Sequence, residues 1–219
     1  MPEPTDEAPA VRAQLLATEH WGLLASRGST QSEMLSRISI LFTLISAGLV
    51  SLALVGQATR FAEPFGLFAI LVLAFITIVG FLTQLRVTLI ANEDLMYVLA
   101  MNRLRGAYTA LDPGVAPNLA ASPHDDEPGS RLTYDFFLTQ GDLRHVAGSS
   151  MVFIMIVEGA LVGLLAGVVI HTLLGTLAVS IPVGIVVLVA YFSVSTFLGY
   201  RAYRAVWRGW RPLYPSRGA

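Results

Sequence analysis

The chain has 219 residues, of which 54% are hydrophobic and 13% charged, and its 14 cationic side chains against 15 acidic ones leave a net charge of -1. A charge density about half that of an ordinary globular domain excludes a disordered protein, and the near-zero balance argues against a nucleic-acid partner. All 14 cations are arginine and cysteine is absent, which removes Schiff bases, lysine-bearing phosphate loops, disulfides, thiolate nucleophiles and cysteine-ligated metals.

The opening MPEPTDEAPA is acidic and proline-rich, unlike the basic start of a cleavable signal, so the first apolar span is expected to stay in the mature protein. Residues 11–27 read as an amphipathic helix carrying Val11, Leu15, Leu16, Leu23 and Leu24, with Gly28 as its stop. Thr30-Gln31-Ser32-Glu33 has the spacing of a capping box, in which a threonine hydroxyl and a glutamate satisfy each other's backbone donors. The sequence therefore predicts a bend at Gly28 and a fresh helix start, with residues 1–36 as an N-terminal segment.

Four apolar stretches, 38–56, 65–90, 149–170 and 177–200, are long enough to cross a hydrocarbon core, which takes roughly 20 residues. Residues 57–64 and 171–176 are too short to be anything but tight hairpins, so both connections lie on one side. Arg60 is the lone arginine in these hairpins; the other thirteen stand before the first span, from the inner end of the second span (Arg86) to the third, and after the fourth. Cytoplasmic flanks collect positive charge, so both termini and the middle loop are expected inside.

The second span has neither glycine nor proline from 81 to 105, and its apolar spacing continues through Leu89, Met96, Leu99, Leu104, Tyr108 and Leu111. From Phe65 to Leu111 an unbroken helix would be about 70 Å long, more than twice the bilayer core, so the hairpin with its cytoplasmic extension is expected to cover 37–111. Asp112-Pro113-Gly114 ends it. Residues 115–130, with Pro117, Pro123, Pro128 and Gly129, read as an irregular loop, and 132–146, with Tyr134, Phe136, Phe137 and Leu143, as a short interfacial helix. A second hairpin (147–200) and an arginine- and aromatic-rich tail (201–219) complete the expected fold. It is an all-α integral membrane protein with four transmembrane helices. The N-terminal helix, the extended second span and the tail form cytoplasmic helical extensions.

Glu158 is the outstanding single residue. It lies nine positions into the third span, roughly 14 Å deep, where a carboxylate is costly enough to suggest function. It could line or gate an ion pathway, or it could be a protonated carboxyl bonded to a hydroxyl such as Ser46 or Ser193. Beside it, Gly159, Gly163 and Gly167 form a ridge for close helix packing, and Ser39, Thr43, Ala47 and Ser51 on the first span offer a matching row. In the tail, Trp207 and Trp210 alternate with Arg201, Arg204, Arg208 and Arg211, a pattern suited to anionic headgroups at the inner leaflet or to an anion vestibule. His124, Asp125, Asp126 and Glu127 are the densest acidic cluster. No glycine-punctuated calcium loop surrounds them, and a solvated loop or an acidic helix start is the simpler reading. Asn102, Arg103 and Arg105 could meet this cluster as a salt-bridge lock. Arg86 is expected to snorkel to the headgroups, and His145, at the membrane entry, is the histidine best placed to sense pH.

The stretch 21–133, with LLASRGSTQSEMLSRIS, MNRLRGAY and SPHDDEPGS, resembles a family of small four-span membrane proteins of high-GC actinobacteria with unassigned function. The resemblance implies a bacterial inner-membrane location and places Asn102, Arg103, Arg105, His124, Asp125 and Asp126 in the family pattern. It supplies no activity and does not reach Glu158. In layout alone, the chain is also similar to small pore-forming effectors whose spans precede cytoplasmic helices. The leading expectation is a homo-oligomeric channel or permease for small ions with Glu158 in its pathway. The alternative is a non-conducting sensing or interaction protein whose cytoplasmic bundle recruits a partner. Membrane lipid is the expected partner; neither cofactor nor metal nor catalysis is expected, since no nucleophile accompanies the acidic loop.

Overall fold

The computed structural model describes residues 7–135 and 149–216, and everything regular in them is helical. Helix α1 spans Glu7–Thr59, α2 Glu63–Leu111, α3 Glu127–Tyr134, α4 Ser150–Leu174 and α5 Leu177–Gly209, and a 3-10 turn covers Pro113–Asn118. Helices α1, α2, α4 and α5 are long and apolar enough to cross a membrane. The chain divides into two compact units. The first contains Met1–Ser32, Ile90–Leu143 and Tyr203–Ala219, and the second Glu33–Leu89 and Arg144–Ala202. Helices α1, α2 and α5 each contribute residues to both.

The second unit has the reversed polarity of a lipid-soluble bundle. Along α2, Leu67, Leu71, Phe75, Ile78 and Leu82 point outward, recurring at spacings of three and four on one helical face. Thr83 and Gln84 are buried instead, together with Glu158. In hydrocarbon such an arrangement is stable because every helical backbone group is satisfied internally and apolar side chains lose nothing by facing lipid. The core is Leu41, Ile76, Val87, Ile154 and Leu161, flanked by Ile38, Ile45, Val72 and Met151.

In the first unit Leu95, Val98, Leu99, Met101 and Leu104 from α2 are buried; of the stripe expected from the sequence, Leu99 and Leu104 are among them, whereas Leu89 and Met96 are exposed. The chain segments gathered here are the three expected to form extensions, joined by the loop after α2. Leu16 and Leu23 are half-buried, whereas Val11, Leu15 and Leu24 are exposed.

Several local expectations are corrected. Helix α1 does not stop or restart near Gly28; a glycine inside a helix costs only about 1 kcal/mol relative to alanine, too little to break a long ladder. Thr30 Oγ1 donates back to the Ser26 carbonyl at 3.0 Å rather than capping. Glu33 is taken by two arginines: Arg37 Nε at 2.8 Å and Arg86, whose Nε and Nη2 donate at 3.0 and 2.8 Å. Arg86 therefore has a carboxylate partner in its own unit, which explains its place at the end of a span better than snorkelling. The loop read as irregular holds the 3-10 turn and the start of α3. The expected helix at 132–146 overlaps α3 over three residues, Asp135 closes that helix, and residues 136–146, with His145, lie outside the described residues.

The glycine ridge also has a different partner. A Cβ on Gly163 would stand 2.6 Å from the Gly184 carbonyl oxygen, and one on Gly184 would stand 2.8 Å from that of Gly163. Gly167 faces the Ser180 carbonyl and Gly159 that of Leu188. The ridge thus seats α4 against α5, not against α1. Ser39, Thr43 and Ser51 are exposed and turn their hydroxyls to carbonyls of their own helix, while Ala47 is exposed beside them. Gly175, at φ 66°, closes α4 with its amide on the His171 carbonyl at 2.8 Å, the left-handed cap that glycine adopts most readily.

Candidate functional site

Within the second unit, α4 carries Glu158 into the core. The residue is 0% exposed, and neither carboxylate oxygen has a hydrogen-bond partner. Its nearest contact on α2 is Gly80, where an added Cβ would overlap Glu158 Oε2. Glycine therefore makes the space that the carboxyl occupies. Thr77, one turn before Gly80, has a buried hydroxyl oxygen that is likewise unpartnered. Neither Ser46 nor Ser193 bonds Glu158: Ser46 is exposed, and Ser193 donates to the Val189 carbonyl.

One turn along α2 in the other direction, Gln84 joins α5. Tyr191 donates its hydroxyl to Gln84 Oε1 at 3.0 Å, and Gln84 Nε2 donates to Ser195 Oγ at 3.2 Å. The Tyr191 ring lies beside Gly159, the residue following Glu158; a Cβ there would be 3.6 Å from Tyr191 Cδ1. The interior thus holds a satisfied polar trio, Gln84, Tyr191 and Ser195, next to an unsatisfied carboxyl. An unpaired buried carboxylate costs several kcal/mol, so Glu158 must hold a proton or meet a cation or water. The trio is not visible in the sequence, because Gln84 on one span and Tyr191 and Ser195 on another lie more than 100 positions apart and meet only when α2 and α5 pack.

In the first unit the charge cluster forms a lock around the C-terminal segment. Asp125, fully buried, accepts from Arg103 Nε at 2.7 Å, from the Leu213 amide at 3.1 Å and from the Tyr214 amide at 2.7 Å. Its backbone carbonyl accepts from Trp210 Nε1 at 2.6 Å, and the Arg103 guanidinium lies 4.1 Å above the Trp210 ring. Asp126 caps α3 through the Gly129 amide at 2.9 Å and also takes the amide and hydroxyl of Ser216. Burial opposes ionisation of Asp126, but the Ser216 and Gly129 donors outweigh it and hold the carboxyl below its ordinary range. Asn102 uses its whole side chain. It donates to the carbonyls of His124 at 2.9 Å and Gly129 at 3.2 Å and accepts from Arg105 at 2.7 Å and Thr133 at 2.9 Å. Glu127 pairs with Arg131 at 3.0 Å on the α3 surface, and His124 Nδ1 lies 3.3 Å from the Tyr214 carbonyl.

These acids are occupied by protein donors, so the cluster builds structure rather than an open cation site. Among the described residues no group of three or more His, Asp or Glu side chains is placed to hold a metal ion. The tail residues separate into two sets. Trp210 is held by Asp125 and Arg103, and Trp207 meets the Tyr203 ring edge-on, so these rings are engaged by protein. Arg201, Arg204, Arg208 and Arg211 remain exposed.

Comparison of the chain with protein-family models, with curated proteins and with solved structures gives no match. The residues themselves establish a multi-span, all-helical membrane protein with a buried acidic residue in one of its apolar helices.

Proposed function

We propose that the protein is a channel or permease for a small cation, in which Glu158 binds the ion or its proton. The observation that carries this reading is a completely buried carboxyl with both oxygens unpartnered, lodged against a glycine in the interior of an apolar bundle. A merely structural carboxyl recovers its desolvation cost through hydrogen bonds, and Glu158 has none. Because Glu158 faces α2 of its own unit, the pathway in this reading runs through each subunit, and homo-oligomeric copies each bring a site. The thirteen-to-one arginine bias supports termini and middle loop on the cytoplasmic side of a bacterial inner membrane.

Reconstitution into liposomes tests this. Wild-type protein should carry protons or sodium down an imposed gradient, and Glu158→Gln, which keeps size and removes charge, should assemble normally while flux falls at least tenfold or loses its pH dependence. Equal flux in both proteins, or none in either, would favour the second reading. That reading is a non-conducting interaction protein, and the observation behind it is the first unit, where two buried aspartates fasten the C-terminal segment. Its test is a partner that co-purifies with wild type and is lost when Asp125→Ala releases that segment.

A further inference from the structure

In the first unit Arg27 is paired with the carboxylate of Asp94, and Arg105 is not. Arg27 takes it with both arms of its fork, Nε to Oδ1 at 2.6 Å and Nη2 to Oδ2 at 3.1 Å. Gln31 Nε2 donates to Oδ1 at 3.0 Å and the Tyr134 hydroxyl to Oδ2 at 2.8 Å. Four donors saturate the aspartate, and nothing is left for a second guanidinium.

Arg105 is that second guanidinium. It is half-buried, and its hydrogen bond goes from Nη1 to the neutral Asn102 Oδ1 at 2.7 Å. Among the described residues no carboxylate lies within salt-bridge distance of it. A guanidinium has five donors in a rigid fork, so most of its capacity is unused. Next to it, His20 stacks on Tyr108, with ring centroids 5.9 Å apart and planes 9° from parallel, and its Nδ1 lies 3.4 Å from the Tyr108 hydroxyl. That hydroxyl is spent on the Leu16 carbonyl at 3.0 Å.

We propose that Arg105, with His20 nearby, binds a phosphate-type oxyanion. The fork of Arg105 matches two oxygens of such an ion, and guanidinium recognition of phosphate is strong because the contacts are bidentate and charge-assisted. Burial first, and then the field of Arg27, holds Arg105 below its ordinary value, and burial followed by the field of Arg105 does the same to His20. An anion offsets the repulsion between the two guanidiniums, the smaller of the two effects on Arg105. The ligand is either free phosphate, including phosphorylated metabolites, or the phosphodiester of an anionic lipid. The site is independent of Glu158 and gives the first unit something to sense.

The test uses full-length protein in nanodiscs of neutral phosphatidylcholine, titrated with inorganic phosphate against sodium chloride at matched ionic strength. Phosphate should raise the melting temperature by several degrees at saturation, as a ligand selective for the folded state must, and chloride should not. Arg105→Gln should abolish the rise, while Arg12→Gln, on an exposed position elsewhere on α1, should leave it intact. Should Arg105→Gln fail to fold, the arginine Nε–H resonances of the wild type decide: phosphate must move that of Arg105 and spare that of Arg12. Discs containing phosphatidylglycerol separate the sources. Loss of the phosphate response there assigns the site to lipid headgroups, and an unchanged response assigns it to the soluble ion. Equal stabilisation by chloride, or a phosphate response that survives Arg105→Gln, overturns the proposal.

Discussion

Arg103 Nε lies 2.7 Å from Asp125 Oδ2, and the carboxylate it meets is completely buried. The pair does more than neutralise charge, because the same carboxylate accepts the amides of Leu213 and Tyr214. One side chain thereby decides where α2, the loop and the C-terminal segment meet. Asp125→Ala leaves a guanidinium and two amides without their acceptor, and each buried donor left unsatisfied costs about 1–3 kcal/mol. Amide exchange should locate the loss: Leu213 and Tyr214 should lose protection together, ahead of the α2 core. Unchanged protection at these amides would show that the segment is held by something else.

Asp126 gives this lock a pH dependence of definite sign. Its carboxyl is held below its ordinary range in the folded chain, so on acidification the unfolded form binds the proton first. The contribution is therefore complete above the ordinary aspartate value of about 4 and disappears as pH falls through the lower, folded value. Exchange of the Gly129 and Ser216 amides, both donors to Asp126, should accelerate relative to neighbouring amides below about pH 4. In Asp126→Ala, which removes both acceptor oxygens, they should be fast already at neutral pH, and the acid-dependent step should vanish. A step of equal size in the variant would assign it to another carboxylate.

A third expectation concerns the contact between Gly80 and Glu158. A methyl group at residue 80 would occupy the space of Glu158 Oε2, so Gly80→Ala must push the carboxyl aside, at a cost of about 1–3 kcal/mol for an overpacked core. Glu158→Ala empties that space. In a double-mutant cycle of thermal or denaturant unfolding in detergent, the alanine at 80 should therefore cost much less in the Glu158→Ala background than in wild type. Strict additivity would mean that the two residues do not touch.

What the sequence implies and what folds out of it agree or part at these same residues. The apolar stretches were legible because lipid imposes length and composition, and the charge lock because Arg103, Asp125 and Asp126 are charges close in sequence. Glu158 stood out because carboxylates are rare in such segments. Its setting was not legible. Gly80 reads as an ordinary small residue until α4 is placed against it, and Gln84, Tyr191 and Ser195 come together only when α2 and α5 pack. Asp94 has the same character, since its donors Arg27, Gln31 and Tyr134 come from elements separated by 40 or more positions. Thr30 and Glu33 show the opposite error: a local capping pattern was outweighed by Arg86, 53 positions away.

The assignment of the glycine ridge to the α4–α5 contact has the sharpest test, because two rows of small residues in one protein are expected to behave differently. At Gly163 a side chain meets the backbone of Gly184 and Leu188, and backbone cannot rotate away as the end of a side chain can. Gly163→Val should therefore separate α4 from α5 and lower stability by about 3 kcal/mol, the upper part of the overpacking range. Ala47 belongs to the exposed row on α1, where a larger apolar residue meets open space, and Ala47→Val should change stability by no more than about 0.5 kcal/mol. Both variants are read by unfolding in detergent at a protein concentration where the chain is monomeric, so that contacts between copies do not enter. Gly184→Val should reproduce the Gly163 defect, since each glycine faces the other's carbonyl. Tolerance at both glycines, or equal damage at Gly163 and Ala47, would sink the assignment and return the ridge to some other partner.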